Sequence, residues 1–222
     1  MATTLATALS PSPTPVVTYY DVATGERVEL SGVTLANWVS KVANLLVDEL
    51  DVERGTRIRI GLPSHWLRFV WLLGAWRVGA IVTDRDAHIG LSGPELQADE
   101  PVRLAAALRP LGGRFPTEPE GFLDIAVHVP GSPDVFIDVD PPESGDLAID
   151  LDGVTATHAE LLALPVSGER LLSGPRSLAD DARALVAALV GGGSLVVVSG
   201  ADGTELDRIA QQERAQVERR GR

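Results

Sequence analysis

The sequence contains no cysteine, and its only methionine is Met1. Disulfides and thiolate metal sites are thereby excluded. Of 19 basic residues only Lys41 is a lysine, a bias that GC-rich bacterial coding explains without any functional choice. The most apolar stretch, 66–82, is broken by Arg68 and Arg77, so it reads as a core helix and not as a membrane span. Residues 1–15 lack both a basic leader and an apolar run, and they read as a flexible tail, not as a signal peptide. Between 115 and 168 there is no lysine or arginine, against eleven Asp and Glu. The formal net charge of −12 argues against nucleic acid, whose phosphates are gripped by clustered Lys and Arg. Residues 208–222 run the other way, with five arginines. A cytoplasmic protein is expected. Its acidic segment invites a basic partner, such as the arginine-rich end of this chain or of a second copy in a homodimer.

What is present supports a real core. Of 222 residues, 45% are hydrophobic, enough for one large domain or a domain with a partial second one. Segments 16–20 and 27–30 flank a Gly-containing turn and predict a hairpin. A helix capped by Thr34 is expected to run to about Leu50, burying Leu35, Trp38, Val39, Val42, Leu45 and Leu46 at 3.6-residue spacing. Strand 57–62, a helix over 65–78 capped by Ser64 and stopped by Gly79, and strand 80–83 follow. Their order is that of a parallel α/β unit. Further strands are predicted at 86–91, 102–108, 125–129 and 135–139, with a weak helix at 93–99. Later come strand 146–149, a helix opened by Thr157, a helix over 178–190 capped by Ser177, strand 194–199 and a thin last helix begun by Thr204.

In this order the segments "GVTLANW", "GTRIRIGLP", "GAIV", "DLAI", "GVTATHAEL" and "RLLSGPRSLADDARALVAALVGGGSLVVVSG" resemble the N-terminal part of the acyl- and aryl-adenylating enzymes, the acyl-CoA synthetase and luciferase superfamily. The chain is most similar to short, standalone relatives of those enzymes with no established activity. The resemblance implies layered, mostly parallel α/β sheets with flanking helices. In the superfamily a phosphate loop of small and hydroxyl residues, glycines and a lysine lies between the strand matching 146–149 and the helix opened by Thr157. Glycines let backbone N–H groups approach phosphate, and the lysine adds a cation. Here the degenerate position holds Asp150, Asp152, Gly153, Thr155, Thr157 and His158. Asp152-Gly153 predicts a tight type I′ turn joining two strands directly. The adenine, magnesium and ribose motifs and the lid lysine of the superfamily are also missing from this chain, and Lys41 lies on the first helix.

Other chemistry is sparse. His158 reads as a first-turn residue in a Thr157/Glu160 capping box; the resemblance offers the alternative of a retained substrate-side contact. His65 begins a helix after a strand, where an α/β sheet can also bind ligand. His88 and His128 are isolated and read as structural or exposed. No G-x-S-x-G elbow exists for a hydrolase. "GGGSLVVVSG" precedes its strand instead of following one, and "DVDPPESGD" has two prolines and the wrong spacing for a calcium loop.

The expectation is a tail over 1–15, a truncated synthetase-like α/β domain over 16–207 with possible sub-layers 16–110 and 111–207, and a basic end over 208–222. No catalytic residue, metal or cofactor is assigned to the chain, and adenylation by it alone is not expected. It would act by binding a small molecule or a protein partner, or else as one part of a split adenylating enzyme completed by another chain. Nucleic acid and membrane are not expected as partners.

Overall fold

The computed structural model describes residues 4–218. Strands β1 (Pro15–Asp21) and β2 (Glu26–Ser31) form the predicted hairpin, followed by α1 (Gly32–Asn44), which continues as a π-turn over Leu45–Glu49. Next come β3 (Arg57–Ile60), α2 (Trp66–Arg77), β4 (Ile81–Thr83), β5 (Ile89–Ser92), β6 (Val102–Ala105), β7 (Leu123–Asp124) and the short α3 (Ile125–His128). The hairpin β8 (Leu147–Leu151)/β9 (Val154–Thr157) leads into α4 (His158–Leu162). β10 (Arg170–Ser173), α5 (Leu178–Gly191), β11 (Ser194–Ser199), α6 (Gly203–Glu213) and β12 (Gln216–Val217) complete the order.

Two mostly parallel sheets result. The first has the order β12-β10-β11-β1-β2, and only β2 is antiparallel to its neighbour. The second has the order β7-β6-β5-β3-β4-β8-β9, and only β9 is antiparallel. The sheets interleave along the chain instead of splitting near residue 110, because β1 from the start pairs with β11 from the end. α6 likewise spans the expected boundary at 207. α1, α2 and α5 share one core with residues of both sheets, while α6 closes the other face of the first sheet through Ile209 and Ala210.

The centre of that core is α2, buried at every residue from Trp66 to Trp76. Trp76 Nε1 donates to the Ala148 carbonyl of β8 at 3.0 Å. A Cβ on Gly74 would sit 2.4 Å from Val42 Cγ1, so only glycine lets α1 and α2 approach this closely. A helix with no solvent face still carries Arg68. Its guanidinium donates to Asp181 Oδ2 on α5 at 2.6 Å and to the carbonyls of Leu62 and Arg176. Ser64 Oγ donates to the same carboxylate at 2.7 Å and accepts from Arg176 N–H. Burial pulls the Arg68 pKa down, and Asp181 opposes that shift.

Several local expectations are corrected. Helices begin at the first acceptor after extended chain, and three caps differ accordingly. Ser31 caps α1 and accepts from Thr34 N–H. His65 caps α2 through Nδ1, because Ser64 is engaged with Asp181. Asp202 caps α6 and accepts from Glu205 N–H. Residues 93–99 form a turn, not a helix, with Ser92 Oγ accepting from Gln97 N–H. Residues 125–128 are helical, not a strand: Asp124 caps Ala126, and Ile125 and Val129 face inward. Alternation over five residues also satisfies the i, i+4 spacing of one helical turn, which is why the pattern misleads. Residues 135–139 pair with no strand. Strand β10 and β12 had no separate sequence signal. The stretch expected as a tail is held against the body over its described part. Leu5 is buried, and Arg77 donates to the Ala6 carbonyl.

Removing one partner of the central ion pair should be costly. Asp181→Ala is expected to lose about 3–5 kcal/mol in urea unfolding, whereas the double change Arg68→Met/Asp181→Leu should recover most of it. An Asp181→Ala loss under about 1 kcal/mol would show that the pair does not hold α2 against α5.

Candidate functional site

β8 lies between β4 and β9, with Thr83 opposite Asp150 in register. Alternation in β3 sends Ile58 and Ile60 into the core and leaves Arg57 and Arg59 half-buried on the opposite face. Arg57 thereby reaches Asp150 Oδ2 at 2.6 Å and Thr83 Oγ1 at 2.7 Å. Arg85 donates to the other oxygen of the same carboxylate. The Arg57 hydrogen bond, with Arg85 beside it, holds the Asp150 carboxyl below the usual carboxylate range. Asp150 is thus a resident anion, already occupying two guanidinium groups. The connections 84–88 and 93–101 cross this face without a helix. The second of them is fastened by Glu100, which accepts from Arg59.

The turn itself is as the sequence predicts. Asp152 has φ 53° and Gly153 φ 75°, the paired positive values of a two-residue type I′ hairpin. Asp152 N–H donates to Asp84 Oδ2 at 2.7 Å. A Cβ at Gly153 would meet nothing within 4 Å, so backbone conformation alone calls for that glycine. Thr155 is exposed on β9. Thr157 and Glu160 form a full capping box: Thr157 Oγ1 accepts from Glu160 N–H, and the Glu160 carboxylate accepts from Thr157 N–H.

His158 is fully buried, and its Nδ1 accepts from Leu5 N–H at 3.1 Å. His65 is almost as buried, and its Nδ1 accepts from Leu67 N–H at 3.2 Å. Because each Nδ1 accepts, the neutral ring carries its proton on Nε2, which is buried without a protein partner in both cases. Burial lowers both pKa values to about 4. As packed, His158 is a core residue beneath the N-terminal segment and not a surface contact for substrate. His88 is exposed, and His128 meets Glu49 at 3.2 Å.

The structure therefore brings Asp150, Asp152, Gly153 and Thr155 to one hairpin and separates them from His158. Sequence reasoning missed Arg57, Arg85, Thr83 and Asp84, the groups that give Asp150 and Asp152 their setting. The polar-apolar alternation of "RIRI" is the only signal that could have found the first of them. A cleft of about 850 Å³ lies elsewhere, between α5 and the β10/β12 edge. Leu171, Ser173, Arg176, Asp180, Arg183 and Glu218 line it, at the carboxyl end of a parallel strand where α/β sheets commonly bind ligands.

The two histidines make stability depend on pH. Their folded pKa values, about 4, lie below the ordinary value of 6.5, so the unfolded chain binds more protons between those limits. Stability should be flat above pH 7 and fall as pH drops from about 6.5 to 4.5, before most carboxylates titrate. Urea midpoints across this range check it. The His158→Gln variant should show a shallower fall, and a slope equal to that of the parent would assign the effect elsewhere.

The comparisons with known proteins agree with this architecture. No protein-family model matches the chain. Among solved structures, the Brucella canis acyl-CoA synthetase superposes with TM-score 0.76 at 16% identity, covering 96% of this chain and 46% of that one. Acetoacetyl-CoA synthetase from Streptomyces lividans gives 0.75 at 19% identity, covering 96% and 41%. The N-terminal domain of FACL13 from Mycobacterium tuberculosis gives 0.68 at 15% identity, covering 97% and 62%. The chain thus spans about half the length of the synthetases it matches, and it has the fold of the N-terminal part of the adenylate-forming superfamily. A Mycobacterium tuberculosis protein described as "TIGR03089 family protein" is 36% identical over 214 residues, covering 87% of this chain and 86% of its own length. On that similarity, sustained along nearly the whole of both chains, the protein belongs to the TIGR03089 family.

Proposed function

We propose that the protein is a cytoplasmic, non-catalytic binding domain built on the N-terminal fold of the acyl-CoA synthetases. One observation carries the reading. Where a phosphate loop would need backbone donors and a cation, a two-residue turn stands, and Asp150 already takes up Arg57 and Arg85. An incoming triphosphate would meet the Asp150 and Asp152 carboxylates in place of an attraction. What remains is a scaffold with a ligand-sized cleft beside α5 and a strongly acidic surface. A small molecule in the cleft or a protein on the surface is the expected occupant, and a homodimer is one form such a partner could take.

A second reading has one observation in its favour. The chain matches 96% of itself to 41–46% of full-length synthetases, as half of a split adenylating enzyme would. Mixing with a chain that supplies the other half should then restore activity.

ATP–pyrophosphate exchange across fatty, aryl and amino acids, run with this chain alone and with a chain that supplies the other half, separates the readings. This chain alone should give no exchange above a no-protein control, and calorimetry with magnesium ATP should show no micromolar binding. Substrate-dependent exchange by the isolated chain would overturn the binding reading. The resident-anion argument has its own test. Asp150→Ala should free Arg57 and Arg85 and raise affinity for inorganic phosphate above that of the parent, read by calorimetry at low salt.

A further inference from the structure

Residues 134–140, "DVFIDVD", cross the outside of the helices on their way to β8. They are held firmly although they form no strand. Lys41 meets Asp134 at 3.0 Å, Arg77 meets Asp138 at 2.8 Å, and Asn44 Nδ2 donates to the carbonyls of Pro133 and Val135. Phe136 turns inward beneath the Arg77 guanidinium, 5.7 Å from its ring centroid. That arrangement pushes the alternate side chains out. Val135, Ile137 and Val139 are 71%, 77% and 93% exposed. Among the described residues, no N–H group of 134–140 has an acceptor in the chain. This is a row of β-branched side chains on a backbone that belongs to neither sheet and leaves its donors free, an edge that an extended peptide could pair with.

A groove of about 530 Å³ separates this segment from the turn at 47–54, and Val47, Val52, Val78 and Phe136 contribute apolar surface to it. Its lining carries Glu53, Asp138 and Asp140 against Arg54 and Arg77. With the flanking residues, 48–53 hold four carboxylates and 134–146 five, against the cations Lys41, Arg54 and Arg77, of which Arg54 meets Asp140, Glu143 and Asp146 and Arg77 meets Asp138. Nine against three leaves a surplus of six negative charges, half the formal net charge of −12. A second copy would bring the same surplus to the same place, and like charges facing each other are disfavoured.

We propose that this edge and groove dock an extended segment of a partner protein in which basic residues alternate with apolar ones. The apolar side chains would lie along Ile137 and Val139 and reach toward Phe136. The basic ones would meet the carboxylates of 48–53 and share Asp140 and Glu143 with Arg54. The proposal rests on the binding reading above, but its test uses no nucleotide, so the two can fail separately.

The probe is a labelled peptide alternating arginine and valine, titrated by fluorescence anisotropy against the full chain. Arginine–glycine and glutamate–valine peptides serve as controls. The arginine–valine peptide should bind about tenfold or more tightly than the arginine–glycine one, and the glutamate–valine peptide should not bind. Ile137→Ser/Val139→Ser, checked for folding by circular dichroism, should weaken binding about tenfold. Asp140→Asn/Glu143→Gln should flatten the loss of affinity between about 50 and 300 mM salt. Equal binding of the arginine–glycine peptide, or unchanged binding to the serine variant, would reduce the effect to diffuse acidity and overturn the proposal. A dimer by sedimentation that the serine variant dissolves would assign the face to a second copy and overturn it equally.

Discussion

A helix without a solvent face governs this fold. α2 is buried from Trp66 to Trp76, so every element around it must present apolar surface or a matched polar group. Arg68 is the one cation in that stretch, and a buried guanidinium is tolerable only when its donors are met. Asp181, Ser64 and the carbonyls of Leu62 and Arg176 meet them, which fixes α5 and the loop before it against α2. Because α5 packs on the first sheet and α2 on the second, the same contact sets the relation of the two sheets. The cap of α2 then falls to His65, since Ser64 is already engaged.

The outer face of the second sheet follows another logic. Short crossings over 84–88 and 93–101 replace helical cover, and the strands beneath carry Arg57 and Arg59 instead of apolar residues. Asp150 and Glu100 neutralise those arginines. A sheet face closed by ion pairs needs no packed helix, but its cations are then committed. The same carboxylate that completes the face occupies the groups an anion would want.

Charge across the molecule is redistributed by folding. The segment from 115 to 168 has no cation of its own, yet Lys41, Arg54, Arg57, Arg77 and Arg85 come to it from the first part of the chain. Much of the acidity expected to call for an outside partner is answered internally. Of the C-terminal arginines, Arg219, Arg220 and Arg222 lie outside the described residues, and Arg208 pairs with Glu205 on its own helix.

The sequence by itself determined whatever depends on neighbours along the chain. The β1/β2 hairpin, the buried stripe of α1, the capping box of Thr157 and Glu160, the Ser177 cap and the type I′ turn at Asp152-Gly153 are local, because propensity, period and turn chemistry act within a few residues. Where two local options were nearly equal, tertiary structure chose. Ile125 to Val129 alternates like a strand, but inward space on one side made it a helical turn. Only the tertiary structure could place Leu5 on His158, Arg57 and Arg85 on Asp150, or Arg68 on Asp181. Those partners lie 65 to 153 residues apart, and sequence pattern carries no record of which distant group will neutralise a charge. The pairing is settled by burial, which makes an unmatched charge intolerable and selects the one arrangement of sheets and helices that matches them.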